Sequence, residues 1–218
     1  QDENIITEYP VVAEPGSVYG YSHATSELVA PLIERATGKR YGEYLSEDIL
    51  LPLGAKGGKI WINRPGGMAH SGCCLLLPAR SFLKMAILLI QDGVWESQRL
   101  LPDGYVAQMR QGSEENPHYG LGLWLPHKYV ERRGFLHPSI EIGKVLHSEP
   151  YLDADIFMFD GNGNQIVYMI PSANTIIMRL GGFSPQSMPE WDNSYLPNLL
   201  IRDAFRDADA QMPAPQSR

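Results

Sequence analysis

The sequence predicts an α+β fold in which helices lead and an antiparallel meander follows. Three observations carry this. Apolar residues at helical spacing fill the first half of the chain, up to about residue 109. Short β-prone runs dominate residues 119–180. Two of those runs are separated only by Pro171-Ser172-Ala173-Asn174, a hairpin turn signal, and strands joined by a tight hairpin are antiparallel.

In chain order, residues 1–17 read as an extended lead-in, followed by a β-prone run at 18–21. Residues 24–37 read as a helix with Leu28, Leu32 and Ala36 on one face, kinked by Pro31 and stopped by Gly38. Residues 41–50 form a second helix, ended by Pro52 and Gly54. A Gly-rich irregular stretch over 56–72 holds one short strand near 59–62. Residues 78–92 form a helix that is apolar nearly all round, so deep burial is expected. A shorter helix at 102–109 follows. Strands are expected at 119–125, 155–159, 165–170 and 175–180, then a closing helix at 196–208. These group into a lead-in (1–17), a helical region (18–112), an antiparallel sheet with the C-terminal helix (113–210) and a disordered tail (211–218).

Composition bounds the function. The chain has 218 residues, 44% hydrophobic and 20% charged, normal for a globular protein with a sizeable core. A net charge of -7 argues against nucleic acid as the main partner. No apolar run approaches the ~18 residues of a membrane span. The opening QDENIITEYP resembles neither a signal peptide nor an initiator segment, so the chain is expected to follow a cleavage or to be a piece of something longer. The two cysteines, Cys73 and Cys74, are adjacent, and buried free thiols are expected. With His70 nearby they do not make the tetrahedral spacing of a metal motif, and neither metal nor cofactor is expected.

Three patterns compete for the chemistry. Gly20-Tyr21-Ser22-His23-Ala24 nearly matches the nucleophile elbow, with Ser22 as nucleophile. That elbow belongs to a mostly parallel sheet, which the hairpin argues against. Ser81-Phe82-Leu83-Lys84 fits S-x-x-K, although Arg80, Lys84 and Gln91 also lie along what reads as the wettest stripe of the helix, with Ser81 at its border. The third pattern pairs Tyr21 with the distant segment Phe159-Asp160-Gly161-Asn162-Gly163-Asn164-Gln165.

Pro15-Gly16, Tyr21-Ser22, Glu34-Arg35-Ala36-Thr37-Gly38 and Pro52-Leu53-Gly54 occur in that order. Then come Gly66-Gly67-Met68-Ala69-His70-Ser71-Gly72-Cys73-Cys74, Asp92-Gly93-Val94-Trp95, Tyr119-Gly120-Leu121-Gly122 and Gly161-Asn162-Gly163-Asn164-Gln165. Order and spacing together resemble the β-lactamase-related serine hydrolases, a family of class C β-lactamases, D-alanyl-D-alanine peptidases, esterases and 6-aminohexanoate-dimer hydrolases. The resemblance runs from Glu14 to about Phe205.

It implies the penicillin-recognising fold and an acyl-enzyme mechanism on an ester or amide. Tyr21 takes the place of the family's tyrosine, the general base or proton relay, and His23 replaces its usual Asn as a donor to the substrate carbonyl. The K-T-G position falls on Phe159-Asp160-Gly161, so the lysine that binds the carboxylate of penicillins and peptidoglycan termini is absent. Lactamase or peptidase activity is therefore not expected. Gly161 would admit the substrate backbone, and the N–H of Asn162 would be one oxyanion donor. In the family, S-x-x-K precedes the tyrosine, whereas Ser81 and Lys84 follow it. The resemblance thus implies that this chain is the C-terminal portion. Its partners would be the small-molecule substrate and an N-terminal portion, bearing the nucleophile and completing the sheet. A non-catalytic binding protein on the same scaffold, and an elbow hydrolase using Ser22, remain the alternatives.

Overall fold

The computed structural model of the chain describes residues 8, 10–73, 75–135, 143–182, 187 and 189–205. The chain divides into two compact units, Gln1–Met85 and Ala86–Arg218.

The first unit is mainly helical. Two helices, α1 (His23–Ser26) and α2 (Val29–Thr37), replace the one kinked helix expected there. The break at Glu27-Leu28 puts Pro31 in the first turn of α2, where the lost N–H had no intrahelical partner. Gly38, left-handed at φ 72°, closes α2 as expected. Helix α3 (Tyr41–Tyr44) runs on into a π-helix, Leu45–Leu50. Strand β1 (Lys59–Ile60) pairs antiparallel with β2 (Leu75–Leu76), and Ile62 bridges Ala69. The Gly-rich stretch is therefore the loop of an irregular hairpin. The run 18–21 forms no ladder among the described residues. Helix α4 (Ala79–Ile90), whose residues from Ala86 onward belong to the second unit, is less enclosed than its composition suggests: Arg80 and Leu83 are exposed, while Ser81, Ala86, Leu88 and Leu89 are buried.

The second unit is built on a meander. Hairpin β3 (Val94–Trp95) and β4 (Gln98–Arg99) comes first, then helix α5 (Tyr105–Met109) and the pair β5 (Arg132–Gly134) and β6 (Lys144–Leu146). Strands β7 (Phe157–Gly161), β8 (Gln165–Ile170) and β9 (Thr175–Arg179) form a three-stranded sheet with β8 central. Every ladder among the described residues is antiparallel, and an isolated parallel bridge joins Leu146 to Asp192. The turn at Pro171–Asn174 joins β8 to β9, with the Asn174 N–H donating to the Pro171 carbonyl at 2.9 Å. Strand β8 is apolar on both faces and buried on both. Val167 and Met169 pack with Ala86, Leu89, Leu123 and Phe157. Alternation sends Ile166, Tyr168 and Ile170 to the other face, where the Tyr168 hydroxyl donates to the Asn193 carbonyl at 2.9 Å. Helix α6 (Tyr195–Phe205) closes the described chain; residues 206–208 of the expected helix and the tail lie outside the described residues.

One expected strand is absent. Residues 119–125 fold back on themselves, with the Gly120 N–H donating to the Leu123 carbonyl at 2.9 Å. Only Trp124 joins the sheet, exchanging backbone bonds with Met158 at 2.9 and 3.0 Å. No helix among the described residues is long and apolar enough to cross a membrane.

Candidate active site

In the first unit the tyrosine motif stands where the chain turns into a helix. A turn at Glu14–Ser17, pinned by Ser17 Oγ and N–H on the Glu14 carbonyl, feeds an extended segment. Ser22 is still extended (φ −141°, ψ 128°) and is the N-cap of α1. Its side chain makes no capping bond; its carbonyl accepts the Ser26 N–H and Oγ. Tyr21 is half-buried, His23 is exposed, and their rings meet edge to face at 6.3 Å. The elbow reading of Ser22 loses its context, because among the described residues the ladders are antiparallel and none precedes α1.

Beneath this turn lies a polar cluster that the sequence did not reveal. Glu27, only 7% exposed, follows α1. Its Oε1 lies 3.1 Å from His70 Nδ1, and its Oε2 accepts the Ser71 N–H at 3.0 Å. Ser71 Oγ donates to the Ser26 carbonyl at 2.8 Å and accepts the Ala30 N–H at 3.0 Å. Gly72 is required by close approach: a Cβ there would stand 2.6 Å from the His23 carbonyl oxygen. Cys73 is disulfide-bonded, contrary to the expected free thiol; Cys74 lies outside the described residues. The ligand atoms of Glu27, His70 and Cys73 lie within 4.8 Å of one another. Nothing in the sequence pairs Glu27 with residues more than forty positions on, so the expectation against a metal rested on an incomplete donor set.

The S-x-x-K look-alike serves structure. Ser81 is 3% exposed and its Oγ reaches the Lys56 carbonyl at 3.4 Å, so it is not on a wet face. Lys84 Nζ donates to the carbonyls of Leu53 and Gly54 at 2.9 and 2.8 Å, just past the π-helix.

The other predicted residues lie in the second unit. Gly161 ends β7 opposite Gln165, and Asn162-Gly163-Asn164 makes the turn, with Gly163 and Asn164 at φ 72° and 59°. Gly161 and Asn162 are exposed, whereas Phe159 is partly buried against the core. Asp160 faces inward. Its carboxylate takes the Arg133 guanidinium and the Asn193 Nδ2, the latter at 2.8 Å. The two charged side chains are 3% and 4% exposed, and Arg133 also stacks 4.0 Å from the ring centroid of Trp124. Trp124 is thus part of the core.

Next to this pair is a small pocket, partly open to solvent, lined by His118, His127, Tyr129, Arg133, His147 and Tyr151, among others. Burial, then the Arg133 charge, lowers His147 to about 4. Burial also lowers His118 and raises the Tyr151 phenol. Tyr21 and His23 thus belong to one unit, and Phe159, Asp160, Gly161 and Asn162 to the other.

Residues 4–74 match the family model described as Beta-lactamase. No curated protein matches the chain. Among solved structures it is similar to a Bacillus anthracis protein provisionally described as a 6-aminohexanoate-dimer hydrolase. That match has 22% identity and a TM-score of 0.63, and covers 89% of this chain and 46% of that one. It is also similar to a protein of Bacteroides dorei provisionally described as a β-lactamase, at 15% identity and TM-score 0.66, covering 92% of this chain and 63% of that one. A β-lactamase of Mycobacterium bovis matches at 14% identity and TM-score 0.60, with 88% and 66% covered. The chain therefore spans between about half and two-thirds of the proteins it matches.

Proposed function

We propose that this chain, β-lactamase-related in its α+β fold and over residues 4–74, belongs to a serine hydrolase that cleaves an ester or amide through an acyl-enzyme. The observation that carries the reading is the Tyr21-Ser22-His23 turn: a half-buried phenol at the mouth of a helix, inside the matched segment. The nucleophile is a serine of a Ser-x-x-Lys segment outside these residues.

In this reading the serine hydroxyl attacks the substrate carbonyl while Tyr21 takes its proton and passes it to the leaving group. Water then repeats the sequence on the acyl-enzyme. A free phenol has a pKa of about 10, so Tyr21 needs the neighbouring lysine cation to act at neutral pH. His23, exposed beside Tyr21, donates to the substrate carbonyl. In the second unit the N–H of Asn162, an exposed residue, is an oxyanion donor, worth about 3 kcal/mol to the transition state. Gly161 leaves room for the substrate, while Phe159, packed against the core, and Asp160, held by Arg133 and Asn193, shape the strand end rather than touching substrate. Leu32, Leu51 and Trp61 stand exposed in the first unit, apolar surface that an N-terminal portion would cover.

The test is a fluorophosphonate probe on the full-length protein, with mapping of the labelled residue, alongside hydrolysis of a short-chain p-nitrophenyl ester. Label on an upstream Ser-x-x-Lys serine, with a 10²–10⁴-fold drop in kcat for Tyr21→Phe, is the expected result. Label on Ser22 would replace the mechanism with an elbow. Neither label nor turnover would leave a binding protein on this scaffold.

A further inference from the structure

We propose that Glu27, His70 and Cys73 form a thiol-dependent site for a zinc-like divalent cation, closed while Cys73 is held in a disulfide and opened by its reduction. The three residues offer a carboxylate, an imidazole and a sulfur, the donor types that zinc takes. All three ligand atoms lie within 4.8 Å of one another. Around a tetrahedral ion with bonds of about 2.0–2.3 Å, donors sit about 3.5 Å apart. Side-chain adjustments of about an ångström close the site, and one position remains for water.

The surroundings hold the donors in place. The Ser71 N–H fixes Glu27 Oε2 at 3.0 Å, which leaves Oε1 turned toward His70. Ser71 Oγ ties the same loop to Ser26 and Ala30. Such outer hydrogen bonds orient ligands in metal sites. The plain alternative, a Glu27–His70 staple between loop and helix, explains two of the three residues. It gives no reason for the Cys73 sulfur to converge on the same point.

The opening step balances. A phosphine reductant and one water convert the disulfide to two thiols and a phosphine oxide; the Cys73 thiol then gives up its proton as the thiolate binds the cation.

The experiment is a Co²⁺ titration of the protein under argon, before and after reduction and desalting. After reduction, one equivalent of Co²⁺ produces a thiolate-to-cobalt charge-transfer band, and Zn²⁺ displaces it. The oxidised protein shows none. Cys74→Ser removes the chain's other thiol, so this variant binds Co²⁺ without reductant. In that background His70→Ala and Glu27→Gln each weaken binding at least tenfold, with circular dichroism confirming the fold. No thiolate band in the reduced protein or in Cys74→Ser overturns the proposal. So does a band equally strong in the oxidised protein, or one unchanged by both His70→Ala and Glu27→Gln.

Discussion

Acidification acts on His147 in a way the structure quantifies. The ring is 5% exposed, Nδ1 lies 3.1 Å from the Val145 carbonyl, and Tyr151 meets it edge to face at 5.5 Å. Burial first and the Arg133 cation second lower its pKa to about 4; the Val145 carbonyl and then Asp192 oppose, and His118 adds to the lowering. An unfolded histidine titrates near 6.5. Between these values the unfolded chain holds a proton that the folded chain refuses, so stability falls as pH falls from about 6.5 to about 4. Above 6.5 both states are neutral and the contribution is flat. The loss is about 2 kcal/mol at pH 5 and about 3 kcal/mol below pH 4. Urea unfolding at pH 7.5, 6.5, 5.5 and 5.0 measures it, comparing the native chain with His147→Asn, which keeps a donor near the Nδ1 position and cannot titrate. The variant is less stable at pH 7.5, but its stability falls less with acid, and the gap between the two narrows by about 2 kcal/mol by pH 5. Parallel pH profiles refute the reasoning, because every other group titrates alike in both proteins.

Two further outcomes follow from the buried polar contacts. Arg133→Met strands the Asp160 carboxylate in the interior and lowers stability by about 3–5 kcal/mol, while Arg133→Met with Asp160→Asn recovers most of it; thermal or urea melts of the single and double variants read the difference. Lys84→Met removes two bonds to the Leu53 and Gly54 carbonyls and costs about 1–3 kcal/mol, yet leaves ester hydrolysis by the full-length protein unchanged. A hundredfold fall in kcat with normal folding would restore Lys84 to the chemistry.

What the sequence disclosed and what it hid divide along a physical line. The Pro171–Asn174 turn, the Gly38 stop and the apolar run of β8 were legible because each is set by neighbouring residues or by periodicity. The split of α1 from α2 was not, since Pro31 fits a first turn as well as a kink and only the tertiary setting chooses. Residues 119–125 look like a strand by composition, but the Gly120–Leu123 bond closes them into a turn.

The polar residues were the hardest to place, because a buried charge is decided by its partner and the partner is distant. Glu27 meets His70 across 43 positions, Lys84 meets Leu53 across 31, and Arg133 meets Asp160 across 27. No pattern at helical or strand spacing encodes such pairs. Asp160 therefore read only as part of the K-T-G position, and Ser81 with Lys84 read as a motif. In both cases the local pattern was real and the long-range partner gave it another use. The same consideration favours Tyr21 and Asn162 as chemical groups. They sit on a helix mouth and a tight turn, places fixed by local sequence.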